Sequence, residues 1–268
     1  MPEAIRSGSI RLIVGLGNPG KDYERTRHNA GFWLVERFAA QYGVALRKDG
    51  KFQALVGRLG TGGTGGGAWL VLPQGFMNAS GHAVQMLAGF FRIPAAEILV
   101  AHDELDFAPG VAKMKQGGGI AGHNGLRDIS HRLGTHDYWR LRLGIGHPGD
   151  RNAVADYVLH RPSAEDRAAI DAAIARSIEI LPLCLAGDLQ GAMQKLHSAE
   201  KEQPAEKSAA EAKPAENKPV EPKPAEKKST ETKPEAPVQA KPEPKAESAP
   251  EKPAAKGLFG SLFSGRKK

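Results

Sequence analysis

Ile10-Arg11-Leu12-Ile13-Val14-Gly15-Leu16-Gly17-Asn18-Pro19-Gly20 is an apolar run that ends in three glycines at the spacing G-x-G-x-x-G. The run reads as a buried strand, and the residues after Gly20 decide the architecture. In a dinucleotide-binding unit the third glycine opens a helix whose free N–H groups hold a pyrophosphate. Here Pro19-Gly20 reads as a turn, and a polar stretch from Lys21 to His28 precedes the next helical pattern. A loop carrying Asn, Tyr, Arg and His at the carboxyl end of a first strand has the composition of a catalytic loop. The nicotinamide oxidoreductase reading stays as the alternative that the glycine spacing alone would support.

Working outward, apolar periodicity predicts a helix over 29–42, with Phe32, Val35, Phe38 and Ala39 on one face. Strands are expected over 52–58 and 68–73, and a helix over 80–92 that stops before Pro94. Ile98-Leu99-Val100-Ala101 reads as a strand running into His102-Asp103-Glu104, followed by a strand over 111–115. A helix over 124–133, a strand over 139–145, and helices over 152–159, 164–186 and 188–197 complete the pattern. Strands interleaved with helices predict an α/β single-domain, three-layer sandwich. Its sheet should be mixed, parallel in the centre and flanked by helices.

Composition divides the 268 residues into a catalytic domain over 1–197, a linker over 198–256 and a terminal motif over 257–268. Between Ala199 and Gly257 the only large aliphatic residues are Val220 and Val238, so the Lys/Pro/Glu/Ala text is expected to be disordered. The last segment pairs Leu258-Phe259 with Leu262-Phe263 ahead of Arg266-Lys267-Lys268. That is a short amphipathic basic pattern, suited to docking on a protein or ribosome partner. The net charge of +7 divides into +3 over 1–200 and +4 over the remainder, compatible with a polyanion partner. The single Cys184 excludes an internal disulfide, and no apolar leader or spanning run is present, so a cytoplasmic location is the default expectation.

Polar residues gather where an α/β sheet places its site, beyond the carboxyl ends of strands. Asn18, Tyr23 and His28 follow the first strand, Asn78 the strand over 68–73 and Asp103 the strand from Ile98. A histidine can take a proton from water when a carboxylate fixes its tautomer and stabilises the imidazolium, which makes His28 the base and Asp103 its orienter. Side-chain amides both donate and accept, so Asn18, Asn78 and Asn124 suit an ester carbonyl and its oxyanion. Without a G-x-S-x-G elbow, and with Cys184 remote, water is the expected nucleophile. Competing structural roles exist: Asn18 can shape a turn, Asn29 is placed to cap the following helix, and Asn124, with Asp128 downstream, can cap its own. His102, Asp103, Glu104 and Asp106 lack metal-site spacing, and no metal is expected.

Six strings, from Val14–Gly20, Thr26–Gly31, Phe76–Gly81, His102–Asp106, Gly122–Leu126 and Arg142–Pro148, resemble the bacterial peptidyl-tRNA hydrolase family in order and spacing over about 10–195. The resemblance implies a monomeric, cofactor-free enzyme that hydrolyses the ester between peptide and the 3′-terminal ribose of tRNA. It makes His28 the base, Asp103 its support and Asn18 a catalytic amide. Asn78 and Asn124 would bind peptide or terminal adenosine, and Tyr23, Phe76 and Met77 would line the same cleft. Lys113, Lys115 and Arg142 would hold acceptor-stem phosphates. The chain departs from the family text at Gly75, where threonine is common, and at Ile120-Ala121, where His-Gly is frequent. The Lys/Pro/Glu tail is not part of the family plan.

Overall fold

A computed structural model describes residues 8–60 and 67–201. The expectations for 202–268, including nearly all of the linker and the whole terminal motif, lie outside the described residues. Seven strands are β1 (Leu12–Gly15), β2 (Arg47–Asp49), β3 (Ala54–Arg58), β4 (Trp69–Pro73), β5 (Ile98–Glu104), β6 (Ala112–Gln116) and β7 (Trp139–Gly144). They form one sheet in the order β2-β3-β4-β1-β5-β7-β6. The four inner strands β4, β1, β5 and β7 run parallel, while β2, β3 and β6 pair antiparallel at the edges. The mixed, centrally parallel sheet is therefore the observed one.

The helices are α1 (Ala30–Gln41), α2 (Ser80–Phe91), α3 (Asn124–Leu133), α4 (Val154–Val158), α5 (Ala164–Ala186) and α6 (Leu189–Lys201). Two apolar cores explain why β1 is continuously hydrophobic, since a strand covered on both faces needs no polar alternation. Ile13 enters the core shared with α1, α5 and α6, whereas Leu12 and Val14 enter the core shared with α2 and α3. Among the described residues, no helix is long and apolar enough to cross a membrane.

Glycines at the end of β1 and the start of α1 serve packing. A Cβ on Gly15 would strike the Gly31 carbonyl oxygen, and one on Gly31 would strike the Ala101 carbonyl oxygen. These absences let the first turn of α1 lie directly on the ends of β1 and β5. The Phe32 N–H of that turn donates to Leu16 O at 3.1 Å. The helix demanded by a pyrophosphate site does not start at Gly20: α1 begins at Ala30, after a 3-10 turn over Arg27–Asn29.

One strand was not anticipated and two expectations are corrected. The short edge strand β2 has no counterpart in the sequence pattern, because three polar residues carry no period and only pairing with β3 defines them. His102-Asp103-Glu104 belongs to β5 itself, held there by β7, with Asp103 opposite Leu143. The helix expected over 152–159 is a 3-10 turn over Arg151–Ala153 followed by the five-residue α4.

Candidate active site

The carboxyl end of β5 carries Asp103, only 4% exposed, between two imidazoles. His28, in the 3-10 turn that enters α1, places Nδ1 3.0 Å from both Asp103 oxygens. His123 places Nε2 3.0 Å from Asp103 Oδ1. His123 is also the N-cap of α3, its Nδ1 accepting from the N–H groups of Gly125 at 3.1 Å and Leu126 at 3.4 Å. With Nδ1 used as an acceptor, Nε2 is the nitrogen that donates to Asp103. The expected capping roles are therefore corrected. Asn124 accepts from Arg127 Nη1 at 3.1 Å, and the cap comes from the histidine before it.

Electrostatics follow from this arrangement. Burial pushes the Asp103 carboxyl up, but the His28 and then the His123 imidazole, by charge and hydrogen bond, hold it well below the usual carboxylate range. Burial pulls His28 down, and the charge and hydrogen bond of Asp103 more than offset this, leaving it above its ordinary value of 6.5. With Nδ1–H donated to Asp103, the His28 Nε2 lone pair is the basic atom of the site. His102, next to Asp103 and fully buried, is pulled down to about 3, chiefly by burial and secondly by His123. It is a neutral ring whose Nδ1–H donates to Asp103 O at 2.7 Å. The ligand atoms of His28, Asp103 and His123 lie within 4.8 Å of one another. A cation there would have to displace the protons that both rings share with the carboxylate.

Asn29 does not cap α1. Its amide grips the backbone of Asn18 on both sides, Oδ1 accepting from Asn18 N and Nδ2 donating to Asn18 O, each at 2.9 Å. Asn18 in turn accepts the Met77 N–H on Oδ1 at 2.7 Å, which ties the Phe76-Met77 segment to the loop after β1. Tyr23 meets the ring of Phe76 edge-on, with centroids 6.2 Å apart. Phe76 is exposed and Met77 buried, and Asn78 lies exposed in the 3-10 turn Met77–Ala79.

A cavity of about 530 Å³ opens beside the Asp103 cluster. It brings together His28, Asp103, Asn124, Lys115 and Arg142, but Asn18, Tyr23, Phe76, Met77, Asn78 and Lys113 do not line it. Lys113 lies 5.0 Å from the Phe107 ring centroid. Arg142 donates through Nε to Glu104 Oε2 at 2.7 Å, so one edge of its guanidinium is already occupied. Sequence reasoning overlooked Arg140 and Arg151, which also line the cavity. Buried Arg140 pins the glycine-rich loop by donating to Gly119 O, and to Gly118 O at 2.8 Å. Sequence reasoning also gave no role to His123. The signal was present in Gly122-His123-Asn124, a polar residue directly before a helical pattern.

Comparison with known proteins gives a consistent result. The family model described as peptidyl-tRNA hydrolase matches residues 12–205. A peptidyl-tRNA hydrolase of Thiobacillus denitrificans is 57% identical over 188 residues, covering 70% of this chain and 90% of that protein. One from Nitrosospira multiformis is 53% identical over 192 residues, covering 72% of this chain and all of that protein. The crystal structure of peptidyl-tRNA hydrolase from Acinetobacter baumannii superposes with a TM-score of 0.69 at 43% identity, over 72% of this chain and 97% of that one.

Proposed function

The chain belongs to the peptidyl-tRNA hydrolase family, and we propose that it hydrolyses the peptide–tRNA ester by attack of a water molecule deprotonated by His28. The observation that carries this reading is the 3.0 Å bond from His28 Nδ1 to buried Asp103. It leaves Nε2 as acceptor for a water proton, and the carboxylate stabilises the imidazolium as it forms. His123 supports Asp103 from the other side. Removing one proton from water by a positioned base is worth typically ~10²–10⁴-fold.

Ester cleavage also builds charge on the carbonyl oxygen. Asn18 is the proposed oxyanion donor. With Oδ1 engaged by Met77 N, its amide is fixed and its Nδ2–H bonds remain to be offered. One such donor contributes roughly 10²–10³-fold. Tyr23, Phe76, Met77, Asn78 and Asn124 are assigned to the peptide and the terminal adenosine. Lys113, Lys115 and Arg142 are assigned to stem phosphates, contacts that position RNA with little sequence reading. The scheme draws only on side chains and water.

The test is release of peptide from peptidyl-tRNA by the purified chain. His28→Ala should lower turnover by at least ~10² while tRNA affinity stays nearly intact, because a base acts in the transition state. Near-normal turnover would remove His28 from the role.

A further inference from the structure

Directly before the proposed base stands Arg27, whose side chain is 9% exposed and reaches the carboxyl end of α4 and the residues that follow it. Its Nη1 lies within hydrogen-bond distance of three carbonyl oxygens: Tyr157 and His160 at 3.3 Å and Arg161 at 3.0 Å. Its Nη2 lies 3.5 Å from Asp166 Oδ2 in the first turn of α5. The guanidinium plane covers the Tyr157 ring at 4.0 Å, and the Arg27 N–H donates to His160 O at 3.1 Å. Tyr157 closes the knot by donating its hydroxyl to Ile145 O, just past β7, at 2.7 Å.

α4 has only five residues, too few to hold its shape by its own hydrogen bonds. Yet Val154, Ala155 and Val158 from it form one wall of the cavity. We propose that Arg27 is a positioning residue for the hydrolysis, fastening the turn that carries His28 to the cavity wall on α4, so that base and wall are set as one body. The proposal rests on His28 being the base. A guanidinium fits the role, because Nη1 meets the carbonyls while Nη2 turns to Asp166 and the group lies over the Tyr157 ring. A lysine ammonium keeps the charge but neither stacks nor spreads its donors in a fork. The groups that face the His28 ring are Asp103 from β5 and His123 from the start of α3, its centroid 5.0 Å away. Arg27 acts on them only through the turn.

The experiment uses Arg27→Lys and Tyr157→Phe in the full chain, with His28→Ala as reference. kcat and KM for peptidyl-tRNA are measured across pH, and the His28 ring is titrated by NMR. Misplacing a catalytic group by about 1 Å costs up to ~10²-fold, so Arg27→Lys should lower kcat by about 10- to 100-fold. KM should stay within about twofold, and the His28 titration should fall toward 6.5 as its grip on Asp103 loosens. Tyr157→Phe should move both readings the same way, by less. Wild-type kcat and titration in the folded variants overturn the proposal, as does a loss that only follows the unfolded fraction in circular dichroism. If Arg27→Lys does not fold, Tyr157→Phe decides alone by the same two readings. A titration that moves while kcat ignores both Arg27→Lys and His28→Ala would instead sink the base reading and leave the tie standing.

Discussion

Asp103→Asn is the most informative single change, because it keeps shape and removes only charge and one acceptor. The native carboxylate accepts from His28 Nδ1 on both oxygens and from His123 Nε2 on Oδ1, all at 3.0 Å. An amide oxygen placed to serve both rings puts its NH₂ opposite His28 Nδ1. In rings where that NH₂ donates to Nδ1, the proton shifts to Nε2, the atom meant for water. A fraction of rings keeps the useful tautomer, so part of the ~10²–10⁴-fold worth of the base survives. We expect kcat to fall about 10- to 100-fold, or about 1.4–2.7 kcal/mol of transition-state stabilisation. That is less than for His28→Ala.

The pH dependence gives the sign. In the wild type, burial lowers the His28 pKa and Asp103 raises it to above 6.5; without the charge only burial remains, so the acid limb of kcat should move below 6.5. The deficit against wild type should therefore be largest at alkaline pH and narrow as the pH falls. Stability follows from linkage. His28, raised on folding, contributes stability fully present below 6.5 and lost as the pH rises through its folded value. Asp103, lowered on folding, contributes stability present above 3.8 and lost as the pH falls through its folded value. The variant's deficit in urea unfolding should thus peak between about pH 4 and 6.5 and shrink above. An acid limb that moves upward, or a kcat unchanged at pH 8, would refute the reasoning.

Further outcomes are expected. Lys115→Ala should raise KM for full-length peptidyl-tRNA and flatten its salt dependence, since fewer counterions are released. A short substrate without stem phosphates should be cleaved as before, and equal damage to both would make the lysine structural. Arg142→Ala should raise KM similarly but also lower stability by about 1–3 kcal/mol, because buried Glu104 loses its partner. An unchanged melting temperature would contradict that pairing. Ala121 adopts φ +44°, a left-handed conformation that costs an ordinary residue about 1–2 kcal/mol. Ala121→Gly should stabilise the chain by about 0.5–1 kcal/mol after glycine's entropy is deducted, read as a rise in Tm. A lower Tm would mean that the methyl group packs. Deleting residues 202–268 should leave kcat and Tm unchanged while abolishing co-purification of any protein or ribosome partner; lost activity would show that the tail acts on the domain.

The sequence alone determined the order of elements and the identity of the chemistry-bearing loops. Strand and helix formation depend on the spacing of apolar residues and on turn chemistry, which are local properties written along the chain. Hence β1, α1, β5 and α3 were legible to within a few residues, and the expected partnership of His28 with Asp103 is met by a 3.0 Å contact. Only the tertiary structure decided partners. Asn29 looked like a cap because its sequence neighbours form a helix, but the fold presents it with the Asn18 backbone, and two bonds outweigh one. The sequence offered Arg142 as a phosphate contact, but β7 lies beside β5, and that adjacency also delivers Glu104 to it. His123 sits 20 residues beyond Asp103 and Arg27 sits 130 before Tyr157. No local pattern encodes such distances. They follow from which strands neighbour each other and how closely Gly15 and Gly31 let α1 approach, and those quantities exist only once the chain has packed.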